Sequence, residues 1–69
     1  MTNGIYLKEM GKKIKAARVA KGVTLRQLGA MCNLDYGSIS RIESGQKNSY
    51  LLTLKTIADA LKMDVKDFI

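Results

Sequence analysis

The chain is 69 residues long with one cysteine, no histidine, no proline and a net charge of +6. This length predicts a single domain over residues 1–69 with a thin stability margin, because so short a chain buries only about 60% of its unfolded surface. A lone Cys32 and no histidine exclude an internal disulfide, a credible zinc site and Ser-His-Asp or Cys-His catalysis. No run nears the roughly 18 apolar residues of a membrane span, so a soluble, cytoplasmic protein with no cofactor, no membrane partner and no small-molecule substrate is expected.

The first predicted helix runs from about Ile5 to Lys21, with Met10, Ile14 and Ala17 on one face, and stops at Gly22. The second starts in Val23-Thr24-Leu25-Arg26-Gln27-Leu28. There Thr24 is the N-cap, Gln27 completes a capping box, and Val23 and Leu28 have the spacing of a hydrophobic staple. Leu25, Leu28 and Cys32 face inward, Cys32 as a small core residue rather than a redox sensor. Gly29 lets the next helix approach closely. Only Asn33 and Leu34 separate Cys32 from Asp35, which places Asn33 in a left-handed conformation at a tight corner. Asp35 caps the third helix with Leu34 stapled to Ile39; Ile39 and Ile42 turn inward, and Gly45 ends it. Leu51, Leu54, Ile57, Ala58 and Leu61 make the apolar stripe of a fourth helix. Asp64 caps a fifth, which brings Val65 and Phe68 to the core and pairs Met63 with Phe68. The expected fold is therefore all-α, five short helices around one core.

Charge is unevenly distributed. Residues 1–49 carry nine Lys/Arg against Glu9, Asp35 and Glu43, whereas residues 50–69 balance Lys55, Lys62 and Lys66 with Asp59, Asp64 and Asp67. One part of the molecule thus suits a polyanion and the other a packing or partner surface. Charge alone leaves nucleic acid and plain solubility as equal readings.

Residues Thr24–Gly45 read as capped helix, short turn, capped helix and glycine stop. With Ile14 to Arg18, the Gly22-Val23-Thr24 junction, Leu28-Gly29, Ser38-Ile39-Ser40-Arg41-Ile42-Glu43-Ser44-Gly45 and Thr53-Leu54…Ile57-Ala58…Ala60-Leu61, the chain resembles the lambda-repressor-like, Cro/C1 (XRE) family of helix-turn-helix proteins. The likeness extends from about Lys8 to Ile69. Three positions depart from the family pattern. Leu25 stands where a phosphate-holding amide is usual, Gly29 where Ala is common, and Ser49 where Pro often precedes the fourth helix.

The resemblance implies a DNA-binding domain with a helix-turn-helix core over 24–45 formed by helices 2 and 3, the third helix entering the major groove. On that helix Tyr36, Gly37, Ser38, Ser40 and Arg41 are the expected base-contacting positions. Arg41 leads, since a guanidinium can bond guanine O6 and N7 together. Thr24, Arg26, Ser44, Gln46, Lys47 and Asn48 are the expected phosphate contacts, giving affinity and register without sequence code. Arg18 and Glu43 are expected to form a structural ion pair. Tyr50, Leu52, Met63, Val65 and Ile69 are expected to form a homodimer interface that sets two recognition helices about 34 Å apart on palindromic double-stranded DNA. The expected function is transcription regulation of repressor or controller type. The second reading is an antitoxin-like interaction module whose DNA binding is secondary; a toxin-binding extension would favour it, and none is expected from these residues.

Overall fold

The computed structural model describes residues 2–48 and 50–68. The helices are α1 (Thr2–Ala20), α2 (Leu25–Cys32), α3 (Tyr36–Glu43) and α4 (Leu51–Ala60), followed by a 3-10 turn at Val65–Asp67. No strand occurs among the described residues, so the all-α expectation is met. The expected fifth helix is that single turn. Asp67 N–H donates to the Asp64 carbonyl at 2.9 Å and Phe68 N–H to that of Val65 at 3.0 Å, the tighter i→i+3 pattern. Asp64 still caps it, accepting from Lys66 N–H at 3.2 Å.

The helix starts divide into two kinds. Thr24 caps α2 through a reciprocal box: its Oγ1 accepts from Gln27 N–H at 3.1 Å and Gln27 Oε1 accepts from Thr24 N–H at 2.9 Å. Asp35 is the N-cap of α3 by backbone conformation only, because its carboxylate makes no cap bond. The helix ends are all of one kind. After α1, Gly22 N–H reaches the Val19 carbonyl at 2.9 Å and Val23 N–H the Arg18 carbonyl at 3.1 Å, the two-bond Schellman closure. The same pair of bonds closes α2 at Asn33 and Leu34, α3 at Gly45 and Gln46, and α4 at Lys62 and Met63. Each closure needs one left-handed residue, supplied by Gly22 (φ 71), Asn33 (φ 56), Gly45 (φ 78) and Lys62 (φ 58). Lys62 has no sequence signature for that conformation.

Ile14, Leu28, Ile39, Ile57, Leu61 and Phe68 lie fully inside, with Met10, Cys32, Ile42, Leu54 and Ala58 around them. Leu51, expected in the core stripe, is instead 63% exposed. It is the first residue of α4, three positions ahead of Leu54, where the helix has only begun to lie on its neighbours. Burying the rest of the stripe stabilises the fold by about 25 cal/mol per Å² of apolar surface removed from water.

Two glycines set how closely the helices cross. An added Cβ at Gly29 would stand 2.8 Å from the Leu34 carbonyl oxygen, so the α2–α3 corner folds directly over that position. At Gly11 it would overlap the carbonyl of Glu43 and come to 2.5 Å from that of Ile42. α1 therefore lies against the backbone at the end of α3. No described helix is long and apolar enough to cross a membrane.

Candidate nucleic-acid interface

α3 buries Ile39, Ile42 and Glu43, and the spacing of those residues turns Gly37, Ser40, Arg41 and Ser44 to the other side of the helix. Tyr36 and Ser38 stand at the two margins. Tyr36 is 42% exposed, Ser40 and Arg41 are exposed, and Gly37 and Ser38 are half-buried.

Ser38 organises the cations on its flank. Its Oγ accepts from Arg41 Nη2 and from Lys47 Nζ, each at 3.4 Å. Bonds this long hold the two side chains over one hydroxyl while leaving most of their donor capacity to a partner. Gly37 lies between two other groups: a Cβ there would be 3.0 Å from an Asp35 carboxylate oxygen and 3.7 Å from Arg41 Nη1. On the opposite margin the Arg26 guanidinium sits over the Tyr36 ring, 5.0 Å from its centroid, a cation–π contact that fixes the corner between α2 and α3.

Thr24 spends its oxygen on the capping box, and the box also occupies Thr24 and Gln27 N–H. The N–H groups of Leu25 and Arg26, the first two of α2, have no intrahelical partner and concentrate positive partial charge at that end. Beyond α3, Ser44 Oγ donates to the Arg41 carbonyl at 3.1 Å, and Gln46, Lys47 and Asn48 are exposed in the following loop.

Arg18 and Glu43 lie beneath this surface. Arg18 Nε donates to Glu43 Oε2 at 2.7 Å and Nη2 to Oε1 at 3.3 Å, while Nη1 donates to the Val23 carbonyl at 2.9 Å. Every other ion pair among the described residues, Lys55–Asp59 and Lys66–Asp64, lies in the last part of the chain. The basic excess of residues 1–48 is therefore almost wholly uncompensated by internal pairing.

The residues expected at a partner surface separate. Tyr50 and Leu52 are 85% and 74% exposed. Met63 and Val65 are half-buried and pack against the core. Ile69 lies outside the described residues.

Sequence reasoning gave no part in the interface to two residues that the structure puts beside these groups, Asp35 having been read only as a cap. Asp35 stands next to Gly37 at the start of α3, and Lys15 of α1 borders a cleft with Leu25, Ser40 and Ser44. Lys15 precedes Arg18 by three residues, so helical spacing puts it at the edge of the buried face of α1, while packing alone sets its neighbours from the other helices.

Two helices joined by a three-residue corner, with a cationic outward strip on the second, define the helix-turn-helix class. The chain belongs to the helix-turn-helix family HTH_3, which matches residues 14–68, and the Cro/C1-type resemblance is met. Among solved structures, the restriction-modification controller protein C.AhdI from Aeromonas hydrophila is similar with a TM-score of 0.88 at 27% identity, covering 91% of this chain and 96% of that one. The clp gene regulator ClgR from Corynebacterium glutamicum is similar with a TM-score of 0.88 at 30% identity, covering 91% of this chain and 67% of that one. A mutant of the restriction-modification controller protein C.Esp1396I is similar with a TM-score of 0.83 at 32% identity, covering 91% and 80%. No curated protein sequence matches the chain.

Proposed function

We propose that this chain is a sequence-specific DNA-binding transcription regulator of repressor or controller type, acting in the cytoplasm as one domain over residues 1–69. α3 enters the major groove and presents Tyr36, Gly37, Ser38, Ser40 and Arg41 to base edges. Thr24, Arg26, Ser44, Gln46, Lys47 and Asn48 hold the flanking phosphates. The observation that carries this reading is the pairing of Arg41 and Lys47 on the Ser38 hydroxyl, with no carboxylate among the described residues in an ion pair with either. Such an arrangement places a bidentate base-reading group next to a flexible cation suited to phosphate. The controller and regulator relatives of similar fold add weight to it.

The regulator works as a homodimer on a palindromic operator. Supporting this are the three consecutive exposed side chains Tyr50, Leu51 and Leu52, an apolar patch beside the charge-neutral end of the molecule. Selection of binding sites from random duplex DNA, followed by salt titration of the winners, tests the whole reading. Enrichment of a two-fold symmetric sequence with a steep salt slope is expected; absence of any enriched sequence overturns it.

A further inference from the structure

Residues 24–45 hold two acidic side chains, Asp35 and Glu43. Glu43 is buried against Arg18. Asp35 is exposed, and its carboxylate is in no ion pair or hydrogen bond among the described residues. Ser38 N–H, which a capping side chain would take, donates instead to the Asp35 backbone carbonyl at 3.0 Å. Arg26 lines the same cleft as Asp35 yet lies over the Tyr36 ring. The carboxylate thus serves neither the helix start nor a neighbouring cation.

Gly37 shows where that carboxylate points. A Cβ on Gly37 would lie 3.0 Å from Asp35 Oδ2 and 3.7 Å from Arg41 Nη1. Gly37 is on the outward side of α3, so an acceptor and a donor flank one open position there without pairing with each other. The two groups need opposite partners. A guanidinium suits guanine, whose groove edge offers O6 and N7 as acceptors, whereas a carboxylate only accepts and needs an amino group. Cytosine offers its N4 amino group with no acceptor beside it on its own edge. Adenine sets N7 next to its amino group, and thymine and guanine present acceptors that a carboxylate repels.

We infer that Asp35 is a specificity-determining residue, its carboxylate accepting from the N4 amino group of a cytosine beside the guanine read by Arg41. This rests on the DNA-binding reading above and adds a contact of opposite charge to it. A carboxylate brought to a polyanion weakens binding to every sequence, and only a site with the amino group in place offsets the loss. Asp35 therefore lowers affinity for unselected DNA while sharpening the choice of one base.

The test selects binding sites from random duplex DNA with the full chain, Asp35→Ala, Asp35→Asn and Glu9→Gln, then scores each position of the winning site by competition. Glu9 is exposed on α1, so Glu9→Gln removes an equal charge outside residues 24–45. The wild type is expected to favour cytosine over each other base by about tenfold at one position. Asp35→Ala should lose that preference, keep the guanine preference and bind unselected duplex more tightly. Asp35→Asn should move the preference to adenine, whose N6 and N7 an amide bonds together, and should melt with the wild type. Glu9→Gln should keep every wild-type preference. If both Asp35 variants select the wild-type sequence with unchanged preferences, the base contact is overturned and the DNA-binding reading stands. A wild type that enriches no sequence overturns both.

Discussion

Arg18 and Glu43, 25 residues apart in sequence, meet at 2.7 Å with both side chains almost wholly buried. Arg18 also bonds the Val23 carbonyl, so one guanidinium ties the end of α3 to the turn that leads into α2. The orientation of the two motif helices thus depends on a single charged group from α1. Removing one partner strands the other charge, a cost of about 3–5 kcal/mol. In a domain of this size that consumes most of the stability. Arg18→Met and Glu43→Leu are each expected to lower the urea midpoint sharply. The double variant should recover a large part of the loss, measured by circular dichroism.

Gly11 lies in the interior of α1 and Gly37 in the first turn of α3; within a helix alanine is ordinarily better than glycine by about 1 kcal/mol. The structure separates them. A Cβ at Gly11 meets backbone carbonyls that have nowhere to go, whereas at Gly37 it meets the ends of two flexible side chains. Gly11→Ala should therefore destabilise by about 1–3 kcal/mol, as overpacking does. Gly37→Ala should leave the melting temperature equal or raised. Gly37→Arg should weaken DNA binding far more than folding, since its bulk projects from the outward strip of α3. Thermal melts on both alanine variants give opposite signs if the packing is as described.

Arg41 and Lys47 share the Ser38 oxygen but should fail differently. Arg41→Ala is expected to cost about 1–3 kcal/mol on the selected site and to relax preference at one base position. Lys47→Ala should weaken all sequences about equally and reduce the salt slope by about 0.9. Competition binding against single-base variants of the selected site distinguishes the two.

Leu52 is 74% exposed, two residues after the exposed Tyr50, and is not among the residues packed on the buried core. Leu52→Asp should leave the monomer fold intact while weakening self-association at least tenfold, read as the monomer–dimer midpoint by sedimentation equilibrium. Met63→Asp is the contrasting case: Met63 packs on the core, so this variant should lose thermal stability as well. A wild type that remains monomeric at every concentration, with or without DNA, removes the dimer.

Cys32 is buried, its Sγ 3.9 Å from the Thr56 carbonyl, and burial pushes its thiol pKa up. In the unfolded chain the thiol ionises near the ordinary value of about 8.5. A raised folded pKa means that the neutral thiol's contribution is fully present below about pH 8.5 and is lost as pH rises through the folded value. Stability should therefore fall above about pH 8.5, and the fall should be smaller in Cys32→Ala. Iodoacetamide should label Cys32 slowly in the native protein and readily in urea.

Local chemistry made much of this molecule legible before any packing was known. The Thr24–Gln27 capping box, the left-handed Asn33 and the glycine stops at Gly22 and Gly45 are decided within a few residues of chain, because caps and turns satisfy neighbouring backbone groups. The apolar periodicity of Met10, Ile14, Leu28, Ile39, Ile42 and Leu54 to Leu61 likewise follows from helical spacing. From these the all-α class and the helix-turn-helix order could be read directly, as could the basic bias of residues 1–49.

Other features depend on which surfaces meet, and no local rule contains that. Leu51 has the right period for the core yet stays outside, because the start of α4 has no neighbour to cover it. Gly11 looks like a helix-weakening residue and is in fact where α1 rests on the backbone of α3. Lys62 takes a left-handed conformation with nothing in its type to announce it. Lys15, one of several lysines on α1, gains its position only when Ser40 and Leu25 come alongside. Sequence by itself determined where α2 begins and where α1, α2 and α3 end, since those decisions are made by hydrogen bonds a few residues long. Only the tertiary structure decided which cations share a surface with α3, because that requires helices distant in sequence to pack at a fixed crossing.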